Sequence, residues 1–430
     1  MGRQIPVAPP IEADYRKRPK STDRRGPLQR DATVRRATGV LIVIENLPAP
    51  FDRRVWQEAR TLRDAGYRVS IICPKGKGYE AAHEVIENIA IWRHPLPTEA
   101  SGPVGYLAEY GAALFFELIL AIRIAFTRGF KVIQACNPPD LIFIPALVFK
   151  LFGVKFIFDH HDLCPELWEA KTGRRGIFHR ALMLFERLTF VAADVSIATN
   201  ESYRKVAIER GRMNPSKVFV VRSAPERARW TAGAGDLAWK RGRQRLVGYV
   251  GVMGEQEGLD LLLQAAKIII HERGRGDVFF LLIGDGTERS KLEALSRDMG
   301  LADNVEFTGR IGDAELLSAL STADVLVNPD RPSELNDKST MNKIVEYMAV
   351  GRPIVQFDTI EGRYSAGDSS LYPAGGDVTA FADAILAVID DPAKAQAMGA
   401  AGRARFETTL CWEHQRGQLL AAYAAALGAT

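Results

Sequence analysis

Cysteine is scarce and scattered. Cys73, Cys136, Cys164 and Cys411 are all that the 430 residues contain, and no two stand at Cys-x-x-Cys spacing. That excludes a small disulfide framework and a thiolate zinc ribbon, and it suits a reducing cytoplasm. Long apolar runs are missing as well. The nearest, 114–126 and 141–158, are interrupted by Glu117 and Arg123 and by Lys150, Gly153 and Lys155, so a buried helix is expected over the first, a helix and a following strand over the second, with contact to a membrane surface as the alternative for 114–126 and 141–149, and no membrane span. The first residues lack the apolar stretch of a secretory signal, which again points to a cytoplasmic chain. No Asp-x-Asp triplet occurs, so a divalent metal held by such a pair is not expected. Large net charge is absent too, yet its distribution is uneven. Residues 1–36 hold ten Lys or Arg against four Asp or Glu, an excess of +6, so a total of +4 leaves −2 for the rest. The folded part therefore offers no net basic charge to a nucleic acid.

What is present is the balance of a globular protein of more than one domain: 47% hydrophobic and 25% charged residues. Residues 1–36, with five prolines and little apolar content, are expected to be a disordered basic tail. Beyond it, short apolar runs alternate with helical patterns, as in parallel sheets covered by helices. Strands are predicted at 40–44, 69–73, 132–134, 155–158, 195–198 and 218–221, with helices such as 53–65 and 178–191. A second set follows at 246–250, 278–283, 305–307, 325–327 and 354–357, with helices starting from Leu259, Glu288, Ala314 and Met341. Residues 223–244 are polar and broken by Pro225, Gly233, Gly235 and Gly242, as a linker is. Two Rossmann-like domains result, 37–222 and 245–409, with a helical segment at 410–428. Ligands of open parallel sheets bind beyond the carboxyl ends of the strands.

One stretch carries chemistry. Residues 334–353 read Glu-Leu-Asn-Asp-Lys-Ser-Thr-Met-Asn-Lys-Ile-Val-Glu-Tyr-Met-Ala-Val-Gly-Arg-Pro. A polar loop enters a short helix that carries Glu346, ends at Gly351, and gives way to a strand after Pro353. A helix start near Ser339 and Thr340 offers unpaired N–H groups to a phosphate, and a carboxylate further along can accept hydrogen bonds from sugar hydroxyls. Upstream, Ile283-Gly284-Asp285-Gly286-Thr287-Glu288 turns a strand into a helix through two glycines. Val305-Glu306-Phe307-Thr308-Gly309-Arg310 and Ala323-Asp324-Val325-Leu326-Val327-Asn328-Pro329 follow in order. In the first half, Asp159-His160-His161-Asp162 closes an apolar strand, Asn137-Pro138-Pro139-Asp140 closes another, and Asp52-Arg53-Arg54 opens a helix after the first. A basic pair at a helix start suits a phosphate, and a salt bridge to Glu58 or Asp52 is the alternative. His160 and His161 with Asp159 or Asp162 are a conceivable metal set, but adjacent histidines point apart, so no metal is expected.

These motifs, in this order, resemble family 4 glycosyltransferases, with bacterial exopolysaccharide and O-antigen sugar transferases the most similar. The resemblance implies the GT-B fold, two facing Rossmann-like domains with parallel sheets and a cleft between them, and the helix at 410–428 crossing back onto the first. It implies retaining transfer from a nucleoside diphosphate sugar to a carbohydrate or polyprenyl-diphosphate-linked acceptor, without metal or other cofactor, at the cytoplasmic face of the membrane. Glu346 would hold the ribose hydroxyls. Gly254, Gly284, Gly286, Arg310, Thr340, Met341 and Lys343 would line the rest of the donor site. His161 and Asp162 would lie near the transferred sugar, and Asp52, Arg53, Arg54 and Asn137 on the acceptor side. Two departures stand out. The first glutamate of the family's signature is Lys338, which could bind the diphosphate, pair with a uronic acid donor or lie in solvent, with Asp337 supplying the missing oxygen. The family's two cations after the first strand of the second domain fall on Val252 and Glu257, which leaves Lys338, Lys343, Arg310 and backbone amides to meet the phosphates. A nucleotide-sugar epimerase of the same fold, and a catalytically silent binding subunit, are the alternative readings.

Overall fold

Apolar β-branched runs form strands and the amphipathic stretches between them form helices across the residues that the computed structural model describes, 37–95, 102–230 and 233–428. The basic segment 1–36 lies outside them. Contacts divide the described chain into two units.

The first unit comprises the described residues up to Ala135 together with Ile144–Lys155. Its strands are β1 (Gly39–Val43), β2 (Arg68–Pro74), β3 (His83–Ile86), β4 (Ile89–His94) and β5 (Val132–Cys136), in the order β3-β4-β2-β1-β5. All neighbours run parallel except the β3/β4 hairpin. β1, β2 and β5 coincide with predicted strands; the hairpin was not predicted. Its two-residue turn, Glu87-Asn88, has positive φ at both positions, 48° and 65°, the geometry of a type I′ turn without its usual Asn-Gly signature. Arg63 from the helix Arg53–Asp64 compensates: its Nη1 donates to Glu87 Oε2 at 2.6 Å and to Glu87 O at 3.0 Å. Helices Gly102–Thr127 and Phe143–Lys150 complete this part.

The second unit comprises Cys136–Phe143 and everything from Phe156 onward. It holds β6 (Lys155–His160), β7 (Val195–Ala198) and β8 (Val218–Val220), parallel and in that order, with the C-terminal helix Trp412–Leu427 packed against β7 and β8. It also holds a six-stranded parallel sheet made of β9 (Arg245–Val250), β10 (Val278–Ile283), β11 (Val305–Gly309), β12 (Val325–Asn328), β13 (Ile354–Gln356) and β14 (Ser370–Leu371), in the order β11-β10-β9-β12-β13-β14. Because side chains alternate along a strand, each face receives its own core. Tyr249, Phe280, Leu282 and Phe357 pack with Phe381 on one side. Leu246, Leu281, Ile283 and Leu326 pack with Tyr347, Met348 and Phe406 on the other. The α/β class read from the sequence is the class observed.

Glu117 on the helix Gly102–Thr127 generates a test. It is 1% exposed, and both carboxylate oxygens are buried without a hydrogen-bond partner. Burial pushes its carboxyl up to about 8, against roughly 4.3 in an unfolded chain. The folded state therefore keeps a proton that the unfolded chain loses first. The associated stability is complete below the unfolded value and drains away, at about 1.4 kcal/mol per pH unit, as pH rises toward the folded value. Glu117→Gln is expected to raise the Tm at pH 8 more than at pH 5; equal shifts at both pH values would mean that this carboxyl carries no linked proton.

Candidate functional site

Three loops at the carboxyl ends of β9, β10 and β12 carry most of the predicted donor residues, and two of them are braced backbone to backbone. Met253 N donates to Asp285 O at 3.1 Å and Glu288 N to Met253 O at 2.9 Å. Glycine is required for this approach. Gly284 sits at φ 137°, where a Cβ would fall 1.8 Å from Gly251 O, and a Cβ on Gly286 would fall 2.4 Å from Met253 O. Gly254 N is expected to face a phosphate; in the structure it donates to Glu257 Oε2 at 3.1 Å. Burial raises the Glu257 carboxyl, Lys343 opposes that, and Asp330 adds to it.

Lys343 is held where β9 and β12 end. Its Nζ lies 2.8 Å from Asp330 Oδ1, which is 2% exposed, and 4.9 Å from the centre of the Tyr249 ring. Tyr347, four residues on, takes up backbone groups at the same strand ends: its hydroxyl accepts from Val250 N at 3.0 Å and donates to Val327 O at 3.2 Å. Both belong to the helix Asn342–Ala349, which begins one residue after the predicted Met341; Met341 is its N-cap and makes no side-chain capping bond. Glu346 is half-buried on that helix. Arg310 is exposed after β11.

The loop predicted before this helix is half helical. Glu334–Lys338 forms a short helix because Ser333 Oγ accepts from Asn336 N at 3.0 Å. Lys338 thereby gains two carboxylates, Glu334 at 2.7 Å and Glu166 at 3.2 Å. Burial opposes its charge, but the two acids outweigh it and raise its pKa. Glu166, 5% exposed, also accepts from Arg210 Nη1 at 2.7 Å, and Arg210 Nη2 reaches Glu186 at 2.6 Å. Thr340 is fixed from another direction. Asn200 Nδ2 donates to Thr340 Oγ1 at 2.9 Å and to Lys338 O at 2.7 Å, while Asn200 Oδ1 caps the helix Glu201–Glu209 through Tyr203 N. Arg222 lies 3.2 Å from Glu361, stacks 4.2 Å from the Tyr364 ring centre, and reaches Thr340 Oγ1 at 3.4 Å.

Sequence reasoning did not find Glu166, Asn200, Arg210, Arg222 or Glu361. Only Asn200 carried a local signal, an N-cap residue ahead of a helical pattern. The others act through partners far along the chain.

His161 follows β6 and is partly exposed, with Nε2 2.9 Å from Oδ2 of the fully buried Asp159. Cys136 Sγ lies 3.7 Å from the same oxygen. The Cys136, Asp159 and His161 ligand atoms all lie within 4.8 Å of one another, so this trio could hold a metal ion; the sequence reading weighed His161 with Asp159 but not Cys136. His160 points the other way, buried among Phe158, Phe190 and Tyr203, and its Nε2 is 3.5 Å from Glu186, long for a hydrogen bond. Asn137, 2% exposed, organises this turn. Its Oδ1 accepts from His161 N at 2.7 Å and Asp162 N at 3.2 Å, and its Nδ2 donates to Asp162 O at 2.6 Å and Asp140 Oδ1 at 2.8 Å. Burial raises the Asp140 carboxyl to about 7, Glu186 adds to this, and His160 opposes it.

The predicted acceptor-side residues of the first unit have structural partners. Asp52 caps the helix Arg53–Asp64 by accepting from Val55 N at 3.0 Å. Arg54 pairs with the buried Glu58 at 3.2 Å, the salt bridge weighed as the alternative, and Arg53 is exposed.

Comparison with known proteins gives this arrangement a context. The family described as "Glycosyltransferase Family 4" matches residues 52–224, and "Glycosyl transferases group 1" matches 244–391. The 2-deoxystreptamine glucosyltransferase of Streptomyces kanamyceticus is 26% identical over 393 residues, 87% of this chain and 98% of that protein. The solved sucrose-phosphate synthase of Thermosynechococcus elongatus superposes with a TM-score of 0.72 at 18% identity, over 91% of this chain and all of that one. WaaG, a glycosyltransferase involved in lipopolysaccharide biosynthesis, gives 0.66 at 15%, over 88% and 98%. The chain is a nucleotide-sugar-dependent glycosyltransferase of the GT-B fold, related to both groups.

Asn137→Ala would take a partner from the buried Asp140 carboxyl and from two partly buried amides, His161 N and Asp162 N. The expected loss is about 1–3 kcal/mol of stability per unsatisfied group, read as a lower denaturation midpoint. An unchanged midpoint would show that the His161–Asp162 turn holds without this side chain.

Proposed function

We propose that the chain transfers a sugar, with retention, from a nucleoside diphosphate sugar to a hydroxyl of a carbohydrate or polyprenyl-diphosphate-linked acceptor in surface polysaccharide synthesis. The observation that carries the reading is the pair of family matches in order, the second of which contains a helix that presents Glu346 and has no side-chain cap at its N-terminus. Glu346 would accept hydrogen bonds from two vicinal ribose hydroxyls. The first-turn amides and the positive dipole end of the helix would face the diphosphate. His161, aligned by Asp159, would contact the transferred sugar. In the transfer the bond from the acceptor oxygen to the anomeric carbon forms and the bond from that carbon to phosphate breaks. The hydroxyl proton passes to the leaving phosphate, so no protein nucleophile takes part. The Asp159 oxygen that could bind metal is read instead as the one orienting His161, and no metal is assigned a role. The relative from Streptomyces kanamyceticus is named for an aminocyclitol acceptor and WaaG for lipopolysaccharide synthesis; both support transfer to a hydroxylated acceptor, and the second favours a surface glycan.

A specific observation favours a second reading. Lys338 and Lys343 are both paired with acids, so a subunit that binds nucleotide without turnover is the competing possibility. Release of nucleoside diphosphate from a donor panel, with and without a membrane lipid extract, separates the two. The transferase reading predicts acceptor-dependent release. Glu346→Ala should raise the donor KM by about tenfold or more, and Asp159→Asn should lower kcat with little change in KM. Binding of nucleotide without any release would sink the transferase reading in favour of the silent subunit.

A further inference from the structure

The ends of two strands bring three different metal-ligand types together. Asp159 and His161 stand two residues apart where β6 finishes, so extended backbone sends both side chains one way and His160 the other. Cys136 closes β5 and is followed at once by Asn137. Asn137 ties these segments to one another: its N donates to Asp159 O at 3.4 Å, and its Oδ1 accepts from His161 N at 2.7 Å. The ligand atoms converge on that frame. Asp159 Oδ2 lies 2.9 Å from His161 Nε2 and 3.7 Å from Cys136 Sγ, and no two of the three ligand atoms are more than 4.8 Å apart. Among the described residues no other group of three His, Cys, Asp or Glu is spaced so closely.

The donor types select the ion. A thiolate, an imidazole and a carboxylate together suit zinc, with bonds of about 2.3 Å to sulfur and about 2.0–2.2 Å to nitrogen and oxygen. Around a tetrahedral ion those lengths set ligand atoms about 3.3–3.6 Å apart. Asp159 and Cys136 are already near that separation, and the His161 ring, 16% exposed where the other two are buried, has the room to turn into place. Magnesium and calcium want six or more oxygens and find a single carboxylate here. Three protein ligands leave a fourth position for water, the pattern of an exchangeable ion and not of a closed structural site. We propose that Cys136, Asp159 and His161 bind one zinc ion reversibly and that its arrival arrests sugar transfer. Binding sends the Cys136 thiol proton to solvent and engages His161 through Nε2, as the neutral ring with its proton on Nδ1. Asp159 Oδ2 and His161 Nε2 then both face the metal, and the contact between them that orients His161 for transfer is lost. The arrest rests on the transferase reading; the binding rests on the trio alone.

The test uses the full chain, stripped of metal by a chelator, with zinc, cobalt or magnesium salts alone. One zinc per chain should remain after gel filtration, and excess magnesium should not displace it. Cobalt in the same place should give the intense near-ultraviolet absorption that a thiolate ligand produces. Cys136→Ser should abolish that absorption and weaken zinc binding by more than the ~10–100-fold that changes outside a ligand set produce. Cys164→Ser, at a buried thiol outside the trio, should leave both unchanged. Zinc should slow donor-dependent nucleotide release by the wild type about tenfold or more, with recovery on adding chelator, whereas Cys136→Ser should keep the metal-free rate and resist zinc. Four results would overturn the proposal: no zinc retained by the wild type, cobalt absorption that survives Cys136→Ser, wild-type turnover that bound zinc does not slow, or equal inhibition of Cys136→Ser. Should Cys136→Ser fail to fold, His161→Gln decides by zinc retention, and retention equal to the wild type overturns the proposal. A chain that turns over no donor yet holds zinc with the thiolate absorption would count against the transferase reading and leave the site standing; turnover without zinc retention would do the reverse.

Discussion

The site depends on one carboxylate shared between two cations. Glu166, in the first turn of the helix Cys164–Thr172, lies 2.7 Å from Arg210 and 3.2 Å from Lys338. It ties the segment after His161 to the signature loop before Glu346. An acid this buried is tolerable only with its partners in place, and removing one partner of such a pair costs about 3–5 kcal/mol. Glu186 makes the same demand on Arg210 from the opposite side. The guanidinium suits this position better than an ammonium would, because its planar fork serves two carboxylates at once.

The same economy shapes the donor side. Where Val252 and Glu257 stand in place of cations, the structure supplies acids: Glu257 occupies the Gly254 amide, and Asp330 holds Lys343. On the proposed placement of the donor, a diphosphate would compete with carboxylates already in position. Lys338, open to several interpretations from sequence alone, has in the structure two acidic partners and a backbone fixed by Asn200.

Much of the fold was legible because periodicity is local. Buried parallel strands read as unbroken apolar runs, and β1, β2, β5 and β9 to β13 lie close to where the residues placed them. The β3/β4 hairpin was not legible, since its turn uses Glu87-Asn88 and relies on Arg63 from a helix twenty-four residues away. The helix Glu334–Lys338 was hidden because its stability comes from a serine cap and from Asn336 bonded to Gln256 O, again a distant partner. Arg222–Glu361 and Arg210–Glu166 have sequence separations of 139 and 44, and no window of residues reveals such pairings. Motif order marked out the neighbourhood of the site; its wiring is a tertiary property.

The interlocked loops after β9 and β10 have a consequence for how such an enzyme diversifies. Their mutual positions are set by amide and carbonyl groups and by the missing side chains of Gly284 and Gly286, not by the identity of the residues between. Val252, 57% exposed, can therefore change without moving the main chain that surrounds it, whereas Gly251 and the buried Met253 on either side cannot. Exposed positions such as Val252 can vary from one such chain to another while the frame stays as it is.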